Sequence, residues 1–330
     1  MREAPSRDEL EASHCWEASD RVPGRAGMTE FRRALRLHQA RWREAHGHPI
    51  GSQPIVPRAK SRPVGSRLPL EYARETGANF VTPGALAAVR ARLSFVEPQQ
   101  SIDHQRLWAD LLSAPALAFN LFGDLAANVE RADGAVHKLW PDVAGTVTGV
   151  RFAHSPGWFD PEYINSLRSF SAAFILERDD GSHGIIAVDT KYHDWLKPEV
   201  PRTSNLSRYR QVADRSCIFA AGAIDPLLVR SELATMWIEH LLLLSMLQHP
   251  SGAWTWGRLV VIRPAGNVDV SAGCDRYRTL LADDSTYATM TLEHLLGSRA
   301  LPNATEIALR ERYVPGAAKS SPRTLASRAR

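Results

Sequence analysis

Hydrophobic positions change their period twice along this chain. Up to residue 27 they show no sustained periodicity among Glu, Arg, Ser and Ala, and that stretch reads as an extension without fixed structure. A helical pattern opens at Met28, a candidate start of the chain. Phe31, Leu35, Leu37, Ala40 and Trp42 recur among Arg32, Arg33, Arg36, Arg41 and Arg43 until Gly47 stops the run. Residues 48–68 carry Pro49, Pro54, Pro57 and Pro63 and read as a linker or an extended wrap over the core. Helical spacing returns at Leu70, restarts at Pro83, and continues through residues 102–130. There Leu107, Trp108, Leu111, Leu117, Phe119, Leu121, Phe122 and Leu125 are dense enough for core helices, with Pro115 breaking the run.

From Asp142 the period becomes that of strands. Val143–Phe152 alternates loosely, and Phe170–Leu176 is a second apolar run. A turn at Asp179, Asp180 and Gly181 then makes a hairpin into Gly184–Tyr192. Helices are predicted over 205–221 and 226–248, a buried strand over Trp256–Arg263 stopped by Pro264, and a helix over 285–297. Helices first, then a strand cluster, then helix–strand–helix, is the order of an α/β protein with a mixed central sheet flanked by helices. The divisions read from the pattern are an extension (1–27), a basic helix with a Pro-rich wrap (28–68), an α/β domain (69–312) and a basic mobile tail (313–330).

Composition narrows the chemistry. A chain of 330 residues can bury a sizeable core, and its formal charge of +4 is compatible with a polyanionic partner. Its three cysteines are few and far apart, which fits a reducing, cytoplasmic setting and argues against a disulfide framework or a cysteine-bound zinc. The longest apolar run, Leu241–Leu247, is far too short to span a bilayer. Glu239-His240 lacks a second histidine four positions away, so the zinc-protease pattern is absent and His240 reads as a core residue. Glycine-rich phosphate loops are absent too, and Ser155-Pro156-Gly157 lacks the glycines of a nucleophile elbow.

What remains is Gly184–Tyr192. Strand side chains alternate, so Ile185, Ala187, Asp189 and Lys191 share one face and Ile186, Val188 and Thr190 the other. A carboxylate and an ammonium thus leave the same side of an otherwise apolar strand. Burying either alone is costly, so the two compensate each other, bind a metal, or sit at a strand end facing a cleft. His154, His183 and His193 are weaker ligand candidates near these strands.

The carboxylate-x-Lys pattern of Asp189-Thr190-Lys191, on an apolar strand behind a hairpin partner, resembles the PD-(D/E)XK nucleases, which share the restriction-endonuclease fold. Longer stretches resemble one bacterial group of restriction endonucleases within it, over roughly residues 30–300. They include Trp42-Arg43-Glu44, Asn79-Phe80, Asn120-Leu121-Phe122-Gly123, Arg151–Gly157, Val188–His193 and His240-Leu241-Leu242. The resemblance implies a DNA endonuclease hydrolysing phosphodiesters with Mg²⁺ (or Mn²⁺). In it Asp189 and the backbone carbonyl of Thr190 would be metal ligands, with Lys191 catalytic beside Asp189. The superfamily's first-motif Asp would fall near Ala172, where no carboxylate stands. Asp160 or Glu162 in the preceding loop, or Asp124 on a helix, are the candidate replacements. The arginine-rich segments 32–43 and 202–215, with Arg208, Arg210 and Gln211, are the candidate DNA contacts. Two other readings stay open: a nuclease fold that binds nucleic acid or a partner without cutting, and an unrelated α/β enzyme with a structural Asp–Lys pair.

Overall fold

The apolar run before Asp189 occupies the middle of a five-stranded mixed sheet. The computed structural model describes residues 4–17, 28–53, 61–97, 99–100 and 102–316. A small ribbon pairs β1 (Gly51–Ser52) with β2 (Pro63–Val64). The main sheet runs in spatial order β3 (Thr146–His154), β4 (Phe170–Glu177), β5 (His183–Thr190), β6 (Trp254–Arg263) and β7 (Tyr287–Thr291). Its first three strands form an antiparallel meander, and β5, β6 and β7 are parallel.

Parallel neighbours cannot be joined by a tight turn, so helices supply the crossovers. α7 (Leu206–Ser216) and α8 (Ala234–Leu247) connect β5 to β6, and α9 (Val268–Arg278) connects β6 to β7. Before the sheet come α1 (Arg7–Ala12), α2 (Glu30–Ala45), α3 (Leu70–Thr76), α4 (Pro83–Ser94), α5 (Ala114–Ala126) and α6 (Val129–Leu139). After it come α10 (Leu292–Gly297) and α11 (Asn303–Tyr313). No described helix is long and apolar enough to cross a membrane.

The sheet is covered on both faces, which is why β5 reads as a continuous apolar run. Ile186 and Val188 join Val260 and Ile262 against Leu117, Leu121 and Phe122 of α5. Ile185 and Ala187 join Leu259 and Val261 against Trp237 and Leu241 of α8. That helix also buries Leu242, Leu243, Leu244 and Met246. At about 1.5–3 kcal/mol per side chain, this burial outweighs the cost of carrying two polar residues inward with it. One of them, His240, is satisfied: its ring nitrogens meet Tyr277 Oη and Thr286 Oγ1, each at 2.9 Å, and burial pushes its pKa down to about 3. It is a core histidine.

Several elements depart from the pattern reading. Within the supposed extension, α1 is held by a capping box in which the Glu9 amide donates to Ser6 Oγ and the Ser6 amide to Glu9. Leu10 and Cys15 then pack on Leu37 and Ala40 of α2, while residues 18–27 lie outside the described residues. Pro115 opens α5 at its second position, where no amide hydrogen is needed, instead of interrupting a helix. The stretch 285–297 divides into β7 and α10, because Tyr287–Thr291 pairs with Leu259–Arg263 before Thr291 caps the helix. The helices α9 and α11 were not expected. Of the tail, residues 317–330 lie outside the described residues.

Candidate active site

The end of β5 delivers two charges to one spot. The Lys191 amide donates to Ile262 O at 2.8 Å, extending the β5–β6 ladder by one residue. Thr190 turns its hydroxyl to the opposite face, donating to Ala114 O at 2.9 Å and so tying the strand end to the start of α5. Asp189 is left facing α8. Lys191 Nζ lies 2.7 Å from Asp189 Oδ2 and 3.7 Å from Glu239 Oε2. Glu239 comes from the second turn of α8, the one carboxylate in that helix.

These three side chains stand at the floor of a cavity of about 370 Å³. Arg106, Arg168, Asp194, Trp195, Lys197 and Thr235 also line it. Arg168 forks onto the Glu199 carboxylate, and Thr235 Oγ1 donates to the same carboxylate at 2.7 Å. Thr235 precedes Glu239 by one helical turn, so this network fixes the α8 end that presents Glu239.

Electrostatically the floor is overloaded with carboxylate. Burial, and then the charge of Asp189, push Glu239 up to about 8, against the pull of Lys191 and Arg168. Burial works against the Lys191 ammonium, but Asp189, Glu239 and Asp194 together hold its pKa above the ordinary lysine value. Burial and Asp189 thus favour a proton on Glu239, while the surrounding carboxylates favour the charge on Lys191. Asp189 Oδ2 and Glu239 Oε2 are buried and face Nζ, and hydrogen bonding between the Asp189 and Glu239 carboxyl groups adds to the upward push on Glu239. Two convergent carboxylates with spare lone pairs are a donor set that suits a hard divalent cation completing its shell with water and phosphate oxygens. Among the described residues no group of three or more His, Cys, Asp or Glu side chains is placed to hold a metal.

The β4 position facing the site is Ser171, not Ala172. Ala172 pairs with Val188 and is buried on the α5 face. One step along the antiparallel ladder brings Ser171 opposite Asp189, on the same face, where it lines the cavity and its Oγ accepts from the Thr190 amide at 3.2 Å.

The three substitute carboxylates lie elsewhere, and none lines the cavity. Asp160 accepts from the Glu162 amide at 2.9 Å, and Glu162 pairs with His249 at 2.9 Å in the exposed loop. Asp124 accepts from Thr82 Oγ1 at 2.8 Å and Thr305 Oγ1 at 2.6 Å, clamping α5 to its neighbours. On α7, Arg208 donates to Tyr163 O and to Gln211 Oε1, and Arg210 pairs with Asp225 at 2.7 Å, so these guanidinium groups already have protein partners. His154 and His193 are pushed down by burial to about 4 and about 3, and neither lines the cavity. The residue that sequence reasoning missed is Glu239. Its only signal was a lone carboxylate in an otherwise apolar helix.

Comparison with known proteins agrees with this architecture. No curated protein and no solved structure gives a significant match. A family model described as the PD-(D/E)XK nuclease superfamily matches residues 26–315, spanning the whole sheet, all of its crossover helices and the Asp189–Lys191 strand end. By that match, over most of its length, the chain belongs to the PD-(D/E)XK nuclease superfamily.

Proposed function

We propose that this chain hydrolyses phosphodiester bonds of DNA with the help of Mg²⁺ or Mn²⁺, at the site built by Asp189, Lys191 and Glu239. The observation that carries the reading is the convergence of two buried carboxylates and one ammonium at the floor of a cavity, within a nuclease-superfamily chain. Asp189 and Glu239, with the backbone carbonyl of Thr190, would hold the cation. When bound, such a cation supplies Lewis-acid stabilisation of charge developing on the phosphoryl oxygens.

The chain's own residues carry the other requirements. Because Asp189, Glu239 and Asp194 hold Lys191 charged, its role is to donate hydrogen bonds and positive charge, orienting the attacking water and stabilising the phosphate. It is not the base. Glu239 must shed its proton for both of its oxygens to be free as ligands, so a cation there competes with the proton that burial and Asp189 favour. Arg168 is held by Glu199 at the cavity wall and adds positive potential near Glu239.

A second reading, binding without cutting, is favoured by one observation: Ser171 occupies the β4 place across from Asp189, where a further carboxylate would complete the donor set. One experiment decides between them. Plasmid, linear and single-stranded DNA are incubated with the protein and Mg²⁺ or Mn²⁺, beside Lys191→Ala and a chelator control. Cutting that needs the metal and disappears in the variant supports hydrolysis. Salt-sensitive binding without cutting supports the second reading, and neither behaviour sinks both.

A further inference from the structure

The depth of the site restricts the form of nucleic acid it can take. The side chains of Asp189, Glu239 and Lys191 are only 8%, 9% and 14% exposed. The segment 192–199, between β5 and α7, forms part of the wall around them through Asp194, Trp195, Leu196 and Lys197.

That segment is pinned along its length. Asn267 Nδ2 donates to Asp194 O at 3.0 Å and to Tyr192 O at 3.3 Å. Arg32 Nε donates to His193 O at 2.8 Å, and Arg106 pairs with the Asp194 carboxylate at 2.9 Å. Leu196 presses so closely on Gly273 of α9 that a Cβ there would lie 2.0 Å from Leu196 Cδ1. Glu199 and Ser231 exchange two backbone hydrogen bonds of 3.0 and 3.1 Å, closing the segment against the start of α8. A wall segment with this many anchors does not move aside cheaply.

A duplex presents each phosphate on a stiff cylinder whose paired bases prevent one strand from leaving it. Side chains this little exposed, within a 370 Å³ cavity walled by a pinned segment, are poorly placed to meet such a phosphate, whereas an unpaired strand bends into the cavity one nucleotide at a time. The walls suit that strand. Lys197 gives positive charge for its backbone, and Trp195 offers an aromatic plate, steadied by the Arg32 guanidinium 5.9 Å from its ring centroid. Cations interleaved with an aromatic platform are the usual means of holding single strands without reading sequence.

We propose that the site takes unpaired, single-stranded DNA in preference to the interior of a duplex, with Trp195 stacking on a base beside the scissile phosphate. This rests on the nuclease reading of the same cavity.

The test uses one labelled oligonucleotide, single-stranded or annealed into a blunt duplex. Cleavage is followed with Mn²⁺, and binding in chelator by anisotropy. The single strand is expected to be cut, and bound, about tenfold or more in preference to the duplex, since only the duplex must first unpair. Trp195→Ala should weaken single-strand binding between about fivefold and a hundredfold, with Trp195→Phe restoring most of it. Lys197→Ala, at an exposed position that folding does not need, should lower the salt dependence of binding by about one counterion. Equal cutting of strand and duplex overturns the proposal and leaves the nuclease reading standing. Trp195-dependent binding of the single strand with no cutting in any metal keeps the proposal and sinks hydrolysis. If the chain neither binds nor cuts either form, both fall, and unchanged single-strand binding by both variants overturns the proposal alone.

Discussion

Arg312 and Lys191 both carry a cation into the interior, and their surroundings differ in kind. Arg312 of α11 is fully enclosed. Its guanidinium carbon lies 4.0 Å from the Trp42 ring centroid, and Nη2 donates to Asn79 Oδ1 at 2.9 Å. Burial lowers its pKa, with Tyr313, Tyr192 and Asp110 pulling the other way. Its direct partners are neutral and closely packed, so it ties the last helix to α2 and the loop at Asn79. Lys191 instead touches two carboxyl groups beside a cavity, one of which burial and its neighbour hold toward the protonated form. Both arrangements leave buried polar atoms short of hydrogen-bond partners, Nε and Nη1 of Arg312 in one and carboxylate oxygens of Asp189 and Glu239 in the other, but only the second set lines a cavity. An unfilled demand for positive charge beside open space is what separates a site from a structural charge.

Removing each cation should therefore break different things. Lys191→Ala should lower metal-dependent DNA cleavage by about 10²–10³-fold, the scale of deleting one preorganised charge donor, measured on plasmid at fixed folded protein concentration. Cleavage at the wild-type rate would end the assignment of Lys191. Arg312→Ala should leave cleavage per folded molecule unchanged and cost about 3 kcal/mol of stability. That figure sums stacking of up to about 2 kcal/mol and a charge-assisted hydrogen bond of about 1.5. Urea titration with a parallel plasmid assay separates the two outcomes, and a variant of normal stability with lost activity would reverse the contrast.

The neutral carboxyl sharpens the comparison through pH. Glu239 has a folded-state pKa raised from 4.5 to about 8, so between those values the folded chain binds more protons than the unfolded one. Stability contributed by that proton is complete below the unfolded value and is lost as pH rises toward the folded one. From pH 7 to pH 9 the loss should be about 1–2 kcal/mol, at roughly 1.4 per pH unit of proton release. Glu239→Gln should flatten this slope and be the more stable protein at pH 9, while cutting less with metal present. Denaturation midpoints at the two pH values check it, and a slope unchanged in the variant would mean that another group titrates. Arg312 sits among no such group and should contribute no slope over this range.

How much of this could be read beforehand follows the range of each interaction. The two faces of β5 were legible because a period of two is local, and Asp189 with Lys191 fell where alternation put them. His240 as a core residue was legible for the same reason: it sits within an apolar helix. Glu239 was not, because its neighbour along α8 is fixed by how a crossover helix docks on a strand far away in sequence. The β4 position was legible only as near Ala172, since which residue stands opposite Asp189, Ser171, is set by the hairpin's register and not by composition. β7 was lost to the helix behind it: Tyr287–Thr291 is too short to show a period and becomes a strand only by lying along β6. The helix α1 carried its own local signal in Ser6 and Glu9, which an unpatterned polar stretch concealed.

The smallest expected effect concerns a carboxylate that looks like a ligand by position alone. Asp124 lies on α5, the helix whose start holds Thr190, yet its oxygens accept hydrogen bonds from Thr82 and Thr305. Thr82 is the cap of α4, its Oγ1 receiving the Ala85 amide at 3.1 Å while its own hydrogen goes to Asp124. Gly84 comes so near that a Cβ there would lie 2.0 Å from Asp124 Oδ1, so α4 and α5 touch through this carboxylate. Asp124→Asn keeps one acceptor oxygen for Thr82 and offers Thr305 an amide where an oxygen stood. The cost should be about 1 kcal/mol, that of one hydrogen bond, with no change in metal-dependent cleavage or in its Mg²⁺ concentration dependence. A rightward shift of the Mg²⁺ titration would place Asp124 in the site after all. It would also mean that a carboxylate already satisfied by two hydroxyls can serve a cation, contrary to the distinction drawn between Arg312 and Lys191.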